Sequence, residues 1–225
     1  MADFVAEKIV KEFETADGVL RILNEVDLEM DRGDNLAVLG PSGSGKSTFL
    51  HVIGTLDQAT SGSFELCGQN PNGMSESELA RFRNENIGFI FQEHHLLPQL
   101  TAIENVLVPT IANPQGSFKF VDRAQQLLES VGLADRMSHR PARLSGGERQ
   151  RVAVARSLIG NPTMVLADEP TGSLDHKNAE TIGNMLIDLQ NENETILVCV
   201  THSEKLAALF QRSVELEDGK FVPAG

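Results

Sequence analysis

LAVLGPSGSGKSTFL, residues 36–50, decides the fold. An apolar run, Leu36 to Leu39, enters a glycine-rich turn, and helix-compatible sequence follows from Ser47. The turn fits G-x-x-x-x-G-K-[ST], and strand before with helix after is the context that gives this pattern its meaning. Its glycines let successive backbone N–H groups wrap a phosphate at a helix N-terminus. Lys46 supplies a cation for the β- and γ-phosphates, and the Ser47 hydroxyl suits Mg²⁺. The expected nucleotide cradle is therefore Gly40, Pro41, Ser42, Gly43, Ser44, Gly45, Lys46, Ser47 and Thr48.

Working outward, three more apolar runs resemble the first: IGFIF at 87–91, MVLAD at 164–168 after Asn161-Pro162, and TILVCVT at 195–201. Near-continuous apolar strands suit a parallel sheet covered on both faces. The first thirty-odd residues and SGSFELCG at 61–68 read as antiparallel strands, and Asp218-Gly219 as a hairpin turn. From about 93 to 160 no strong strand pattern appears. That segment predicts helices: one over 121–133, with Asp122 as N-cap and Gly132 as C-cap, and a longer one from Glu148 to Gly160. The stretch 112–120, ANPQGSFKF, reads as a mobile loop.

The strand ends carry the chemistry. Asp168 ends MVLAD, at the sheet edge where α/β folds bind ligands, and can hold Mg²⁺ through water. Glu169 follows it and can deprotonate an attacking water. Gln92 directly follows IGFIF and His202 directly follows TILVCVT, so both belong to the same edge. A neutral histidine there can sense a γ-phosphate and position water.

A second anion site is then unexpected. LSGGERQR at 144–151 places a glycine pair at a helix start, where free N–H groups attract anions. One nucleotide has one phosphate tail, and the first cradle already holds it.

Bulk properties narrow the partners. Nineteen basic residues against thirty-two acidic ones in 225 give a net charge of −13. That balance argues against nucleic acid, whose binding rests on phosphate neutralisation. Cys67 and Cys199, without CxxC spacing, read as two buried free thiols of a reducing compartment. The N-terminal stretch lacks an apolar signal core, and no apolar run reaches the roughly 18–20 residues of a membrane span. His94-His95 without further ligands reads as solvent-facing loop. Leu96, Leu97, Pro98 and Leu100 are either a docking floor for a partner or core of the helical segment.

In the order and spacing of these motifs the chain resembles the nucleotide-binding subunit of an ATP-binding cassette (ABC) transporter, over nearly its whole length. The motifs are the Walker A loop at 40–48, Gln92 of the Q-loop, LSGGERQ at 144–150, Walker B at 164–169, SLD at 173–175 and His202. IGFIFQEHHLLPQLTAIENV and LADEPTGSLD are similar to the branch of lipoprotein-releasing ATPases and macrolide-type exporters.

The resemblance implies an α/β fold: a P-loop NTPase (RecA-like) core, an antiparallel β subdomain and an inserted helical subdomain. All lie in one domain, 1–225, with core and β subdomain at 1–91 and 161–225 and the helical subdomain at 92–160. It implies catalytic roles for Lys46, Gln92, Glu169 and His202, and Mg²⁺ ligation by Ser47, Gln92 and Asp168. Phe13 is assigned to stack on adenine, with a core role as the alternative, since the chain has neither Tyr nor Trp. Glu148 stands where many relatives have Gln, a departure that should leave the backbone donors intact.

The resemblance also resolves the two anion sites. Two copies pack head to tail, and Ser145 and Gly147 of one cap the γ-phosphate held by the other, with Asp175 at the interface. ATP and Mg²⁺ are then the cofactors, a homodimer is the closed state, and separate integral permease subunits convert closure into transport. The implied location is the cytoplasmic face of the inner membrane, reached only through the permease. The implied activity is ATP hydrolysis driving lipoprotein release or a related export. A single-cassette ATPase outside transport, as in cluster assembly, is the alternative.

Overall fold

The four apolar runs become β3 (Asn35–Leu39), β5 (Ile87–Phe91), β6 (Met164–Asp168) and β7 (Ile196–Val200). In the computed structural model, which describes residues 2–16, 18–112 and 117–223, they pair in parallel in the order β5-β6-β7-β3. Their continuous apolarity has a direct cause, since alternate side chains enter two different cores. Leu36, Val38, Leu166, Val198 and Val200 face one core, while Ala37, Val165, Ala167, Leu197 and Cys199 face the other. Each of the larger aliphatic side chains contributes about 1.5–3 kcal/mol by leaving water.

The first core lies under a three-stranded antiparallel sheet. Its strands are β1 (Phe4–Thr15), β2 (Gly18–Met30) and β4 (Ser61–Leu66), in the order β2-β1-β4. Helix α1 (Lys46–Ile53) contributes Phe49, Leu50, Val52 and Ile53 to that core, all within 1% of complete burial. The Asp218-Gly219 hairpin forms between β8 (Arg212–Glu217) and β9 (Lys220–Pro223), with both turn residues at positive φ. β8 also pairs in parallel with β3, so the hairpin completes the main sheet, a placement that local alternation does not disclose.

The second core joins the sheet to the helical segment. Among the described residues no strand lies between β5 and β6. The helices there are α3 (Ala102–Leu107), α4 (Val121–Ser130) and α5 (Gly146–Leu158). α5 lies directly on β5 because of Gly88, where a Cβ would stand 2.2 Å from the Ser157 carbonyl oxygen. α2 (Glu76–Asn86), α6 (His176–Asn193) and the short α7 (Glu204–Ala207) complete the chain.

Several local expectations need correction. Asp122 is not the N-cap of α4 but lies in its first turn, with Phe120 at the cap. Gly132, at φ 71, follows the C-cap Val131. α5 begins at Gly146 rather than Glu148, because Ser145 caps it, and it ends at Leu158 before Gly160. Cys199 is buried, but Cys67 is exposed in the turn after β4. Of the expected mobile loop, 113–116 lie outside the described residues, and Ser117–Phe120 form a 3₁₀ turn.

Candidate active site

The glycine-rich turn leaves β3 at the C-terminal edge of the sheet and opens α1. Gly45 occupies the N-cap of α1 at φ 102 and offers no side-chain cap, and the first turn holds no carboxylate. Helices α2, α3, α5, α6 and α7 are all capped by Ser, Thr or Asp side chains. α4 also lacks a side-chain cap but carries Asp122 in its first turn, so among the described α-helices α1 alone starts with neither cap nor carboxylate and stays open to an anion. Ser44 Oγ, buried in the same turn, has no hydrogen-bond partner among the described residues. Lys46 is 8% exposed, and its ammonium donates to the carbonyls of Gly40 at 2.8 Å and Pro41 at 2.9 Å. A cation, unpaired amides and a spare hydroxyl together fit a polyphosphate.

Across the turn, the Ser47 hydroxyl donates to Asp168 Oδ1 at 3.2 Å. Burial pushes the Asp168 carboxyl above its usual range, while the Ser47 hydrogen bond opposes the shift. A divalent cation would offset that desolvation, so the Ser47–Asp168 pair fits Mg²⁺ completed by phosphate oxygens and water.

Glu169 sits at φ 46, a left-handed conformation costing a non-glycine residue roughly 1–2 kcal/mol. Neighbours hold it there. Its N–H donates to the Val200 carbonyl at 2.9 Å, and the Thr201 hydroxyl donates to Oε2 at 3.2 Å. His202 Nδ1 lies 2.9 Å from Oε1, with the imidazole otherwise largely exposed. With Nδ1–H given to the carboxylate, the rest of the exposed ring, including Nε2, is left for a ligand. An oriented carboxylate beside a metal-competent pair is the arrangement that activates water.

The turn at 144–151, the second candidate anion site, is held by its own side chains. Ser145 caps α5 through a reciprocal capping box with Glu148: its hydroxyl accepts from Glu148 N at 3.2 Å, and its N–H donates to the carboxylate at 2.8 Å. The Ser145 N–H chiefly holds the Glu148 carboxyl below its usual range, and Arg136 lies 3.5 Å from that carboxylate. The donors that remain are those of Gly146 and Gly147. Their surroundings are Leu174 and Asn178, whereas the glycines at 40 and 45 adjoin Leu216, Ile22 and Leu23. The two glycine-rich turns therefore have separate environments within one chain.

Comparison with known proteins places the chain in a family. The ABC transporter family model matches residues 23–172. The chain belongs to the ABC transporter family. It is 50% identical over 221 residues to the lipoprotein-releasing system ATP-binding protein LolD 1 of Rhodopirellula baltica, covering 98% of this chain and 96% of that protein. It is 46% identical over 213 residues to LolD of Shewanella oneidensis, covering 95% and 93%. A dimeric ATP-binding cassette in a post-hydrolysis state bound to ADP and Pi superposes with a TM-score of 0.87 at 37% identity, covering 97% of this chain and 96% of that one.

The remaining sequence-derived ABC positions divide. Asp175 N-caps α6, accepting from Asn178 N at 3.0 Å and from Asn178 Nδ2 at 2.7 Å. That same Asn178 backs onto Gly147, so SLD and the signature turn adjoin. Phe13 is 41% exposed, with the Lys11 ammonium 4.8 Å from the ring centroid; its other surroundings leave it outside both cores. Gln92 is exposed beside Gly172, and its carbonyl accepts from Ser173 Oγ at 3.4 Å. No hydrogen bond among the described residues joins Gln92 or Phe13 to the Ser47–Asp168 pair.

His94 is not a solvent-facing loop residue. It is half-buried, hydrogen-bonds through Nδ1 to Gln150, and its pKa is lowered chiefly by burial. Among the described residues no group of three His, Cys, Asp or Glu side chains is placed to hold a metal. The apolar cluster splits: Leu96 packs on the helical core, while Leu97, at 40%, and Pro98 are exposed. Sequence reasoning overlooked Thr201, Asn178, Arg136 and Arg156, which hold the functional groups. Only Thr201 carried a signal, as the polar residue closing TILVCVT.

Proposed function

We propose that this chain is the ATP-hydrolysing subunit of a lipoprotein-releasing ABC transporter, acting as a single domain over residues 1–225. The observation that carries the reading is the Glu169 carboxylate, held by Thr201 and His202 beside the Ser47–Asp168 pair at an uncapped helix start. The backbone of 40–48 and Lys46 bind the phosphates, and Phe13 stacks on adenine. Ser47, Asp168 and Gln92 would hold Mg²⁺, which when bound neutralises phosphate charge. Glu169 takes a proton from water, and His202 keeps that carboxylate oriented while facing the γ-phosphate. The names of the relatives favour transport over an ATPase outside it.

Separate surroundings for the two anion sites support closure between copies, with Ser145 and Gly147 capping the partner's nucleotide and Asp175 at the interface. Such a two-fold arrangement makes two equivalent sites, and ATP favours the closed state because only that state contacts it from both sides. Introducing Ser145→Arg into a Glu169→Gln background tests this. ATP should bind the monomer as before, while dimer formation with ATP and Mg²⁺ disappears in light scattering. A dimer equal to that of Glu169→Gln alone removes the trans role of the signature.

No helix among the described residues is long and apolar enough to cross a membrane. Membrane association then rests on a permease, at the cytoplasmic face. A groove of about 490 Å³ between α2, β5 and α5 is lined by Leu56, Phe89, Phe91, His95 and Pro109, and His95 lies two residues before the exposed Leu97, which supports docking on this side. Leu97→Asp should lower recovery of the permease complex without loss of solubility, because the side chain is already exposed. Normal recovery and normal permease-stimulated ATPase remove Leu97 from that surface.

A further inference from the structure

Gln92 is bracketed by residues tied to a different element. His94 and His95 have φ of 57 and 46, consecutive left-handed residues that persist only where their surroundings hold them. Here α5 does so. The Arg156 guanidinium donates from Nη2 to the His94 carbonyl at 2.6 Å and from Nη1 to the His95 carbonyl at 2.7 Å. Gln150, completely buried, meets His94 Nδ1, and its Nε2 donates to the Phe91 carbonyl at 3.5 Å. The His95 ring stands edge-on to Phe91, with centroids 5.1 Å apart. Phe91 precedes Gln92 and the two histidines follow it, so both flanks of Gln92 are fastened to α5. The other end of α5 carries Ser145 and Gly147.

We propose that Arg156 is a positioning residue that locks the Gln92 loop to the signature helix, so that displacement of Gln92 by one nucleotide shifts the cap offered to the partner's. The inference rests on the ATPase reading above. A planar guanidinium reaches two neighbouring carbonyls at once, which a lysine ammonium on its flexible stem does not reproduce. Without the lock, Gln92 and Ser145 respond to nucleotide separately, although each remains present and folded.

The chain contains no tryptophan, so a single reporter is unambiguous. Arg143→Trp places one on the exposed turn before the signature. At protein concentrations that keep the chain monomeric, MgATP should change its emission. Adding Arg156→Lys should leave ATP affinity unchanged but remove most of the emission change. Combining it with His95→Gly separates locking from mere support, because glycine tolerates the left-handed conformation without help. The double variant should regain thermal stability while the reporter stays silent. A full emission response in Arg156→Lys, or its return together with stability in the double variant, overturns the lock. So does a parent that binds MgATP without any emission change, whereas a parent that fails to bind MgATP defeats the ATPase reading itself.

Discussion

Glu169→Gln should lower ATP turnover by about 10²–10⁴, the range for loss of a general base. The substitution keeps side-chain size. Its amide can still accept from Thr201 Oγ1 or His202 Nδ1, so the left-handed residue 169 stays held. Asp168 and Ser47 are untouched, and nucleotide should bind as tightly as before. Binding without turnover traps the state that binding favours, so a dimer should accumulate with ATP and Mg²⁺. Single-turnover hydrolysis, run beside light scattering, checks both halves. Turnover within tenfold of the parent would move the base to another residue.

Lys46→Ala should weaken ATP binding by about ten- to a hundredfold, from the roughly 1.5–3 kcal/mol of a hydrogen bond to a charged group. The position of the ammonium explains why a distant cation would not substitute. It is buried at the mouth of the turn, donating to the carbonyls of Gly40 and Pro41, and those interactions also brace the loop around the phosphates. The fold should survive, since the core contribution of α1 comes from Phe49, Leu50, Val52 and Ile53. A nucleotide titration with thermal unfolding of the same samples separates lost binding from lost structure. Equal affinity in mutant and parent would take Lys46 out of the phosphate site.

The strands most legible in the sequence were those buried on both faces. IGFIF and MVLAD became β5 and β6 with no shift in either boundary, because a strand covered on both faces is apolar almost throughout, with Gly88 under α5 and Asp168 at the sheet edge as the departures. α2 and α6 were harder to read: α2 buries only Phe82 among its eleven residues, so its polar face hides the helical period. Asp122 misled because a good N-cap residue type carries no information about which turn the neighbouring contacts select.

The sequence by itself determined the phosphate turn, the paired carboxylates at the end of β6, the signature turn and the α/β class, because each is a local pattern whose chemistry needs adjacent residues. Tertiary structure alone decided which groups meet across the sheet edge. Thr201 and His202 reach Glu169 from β7, Ser47 reaches Asp168 across a separation of 121 residues, and Arg156 reaches back 62 residues to His94. Those pairings depend on the strand order β5-β6-β7-β3 and on α5 settling over Gly88. Strand order is set by how whole faces bury against one another, a property of the assembled cores that no single stretch of chain carries.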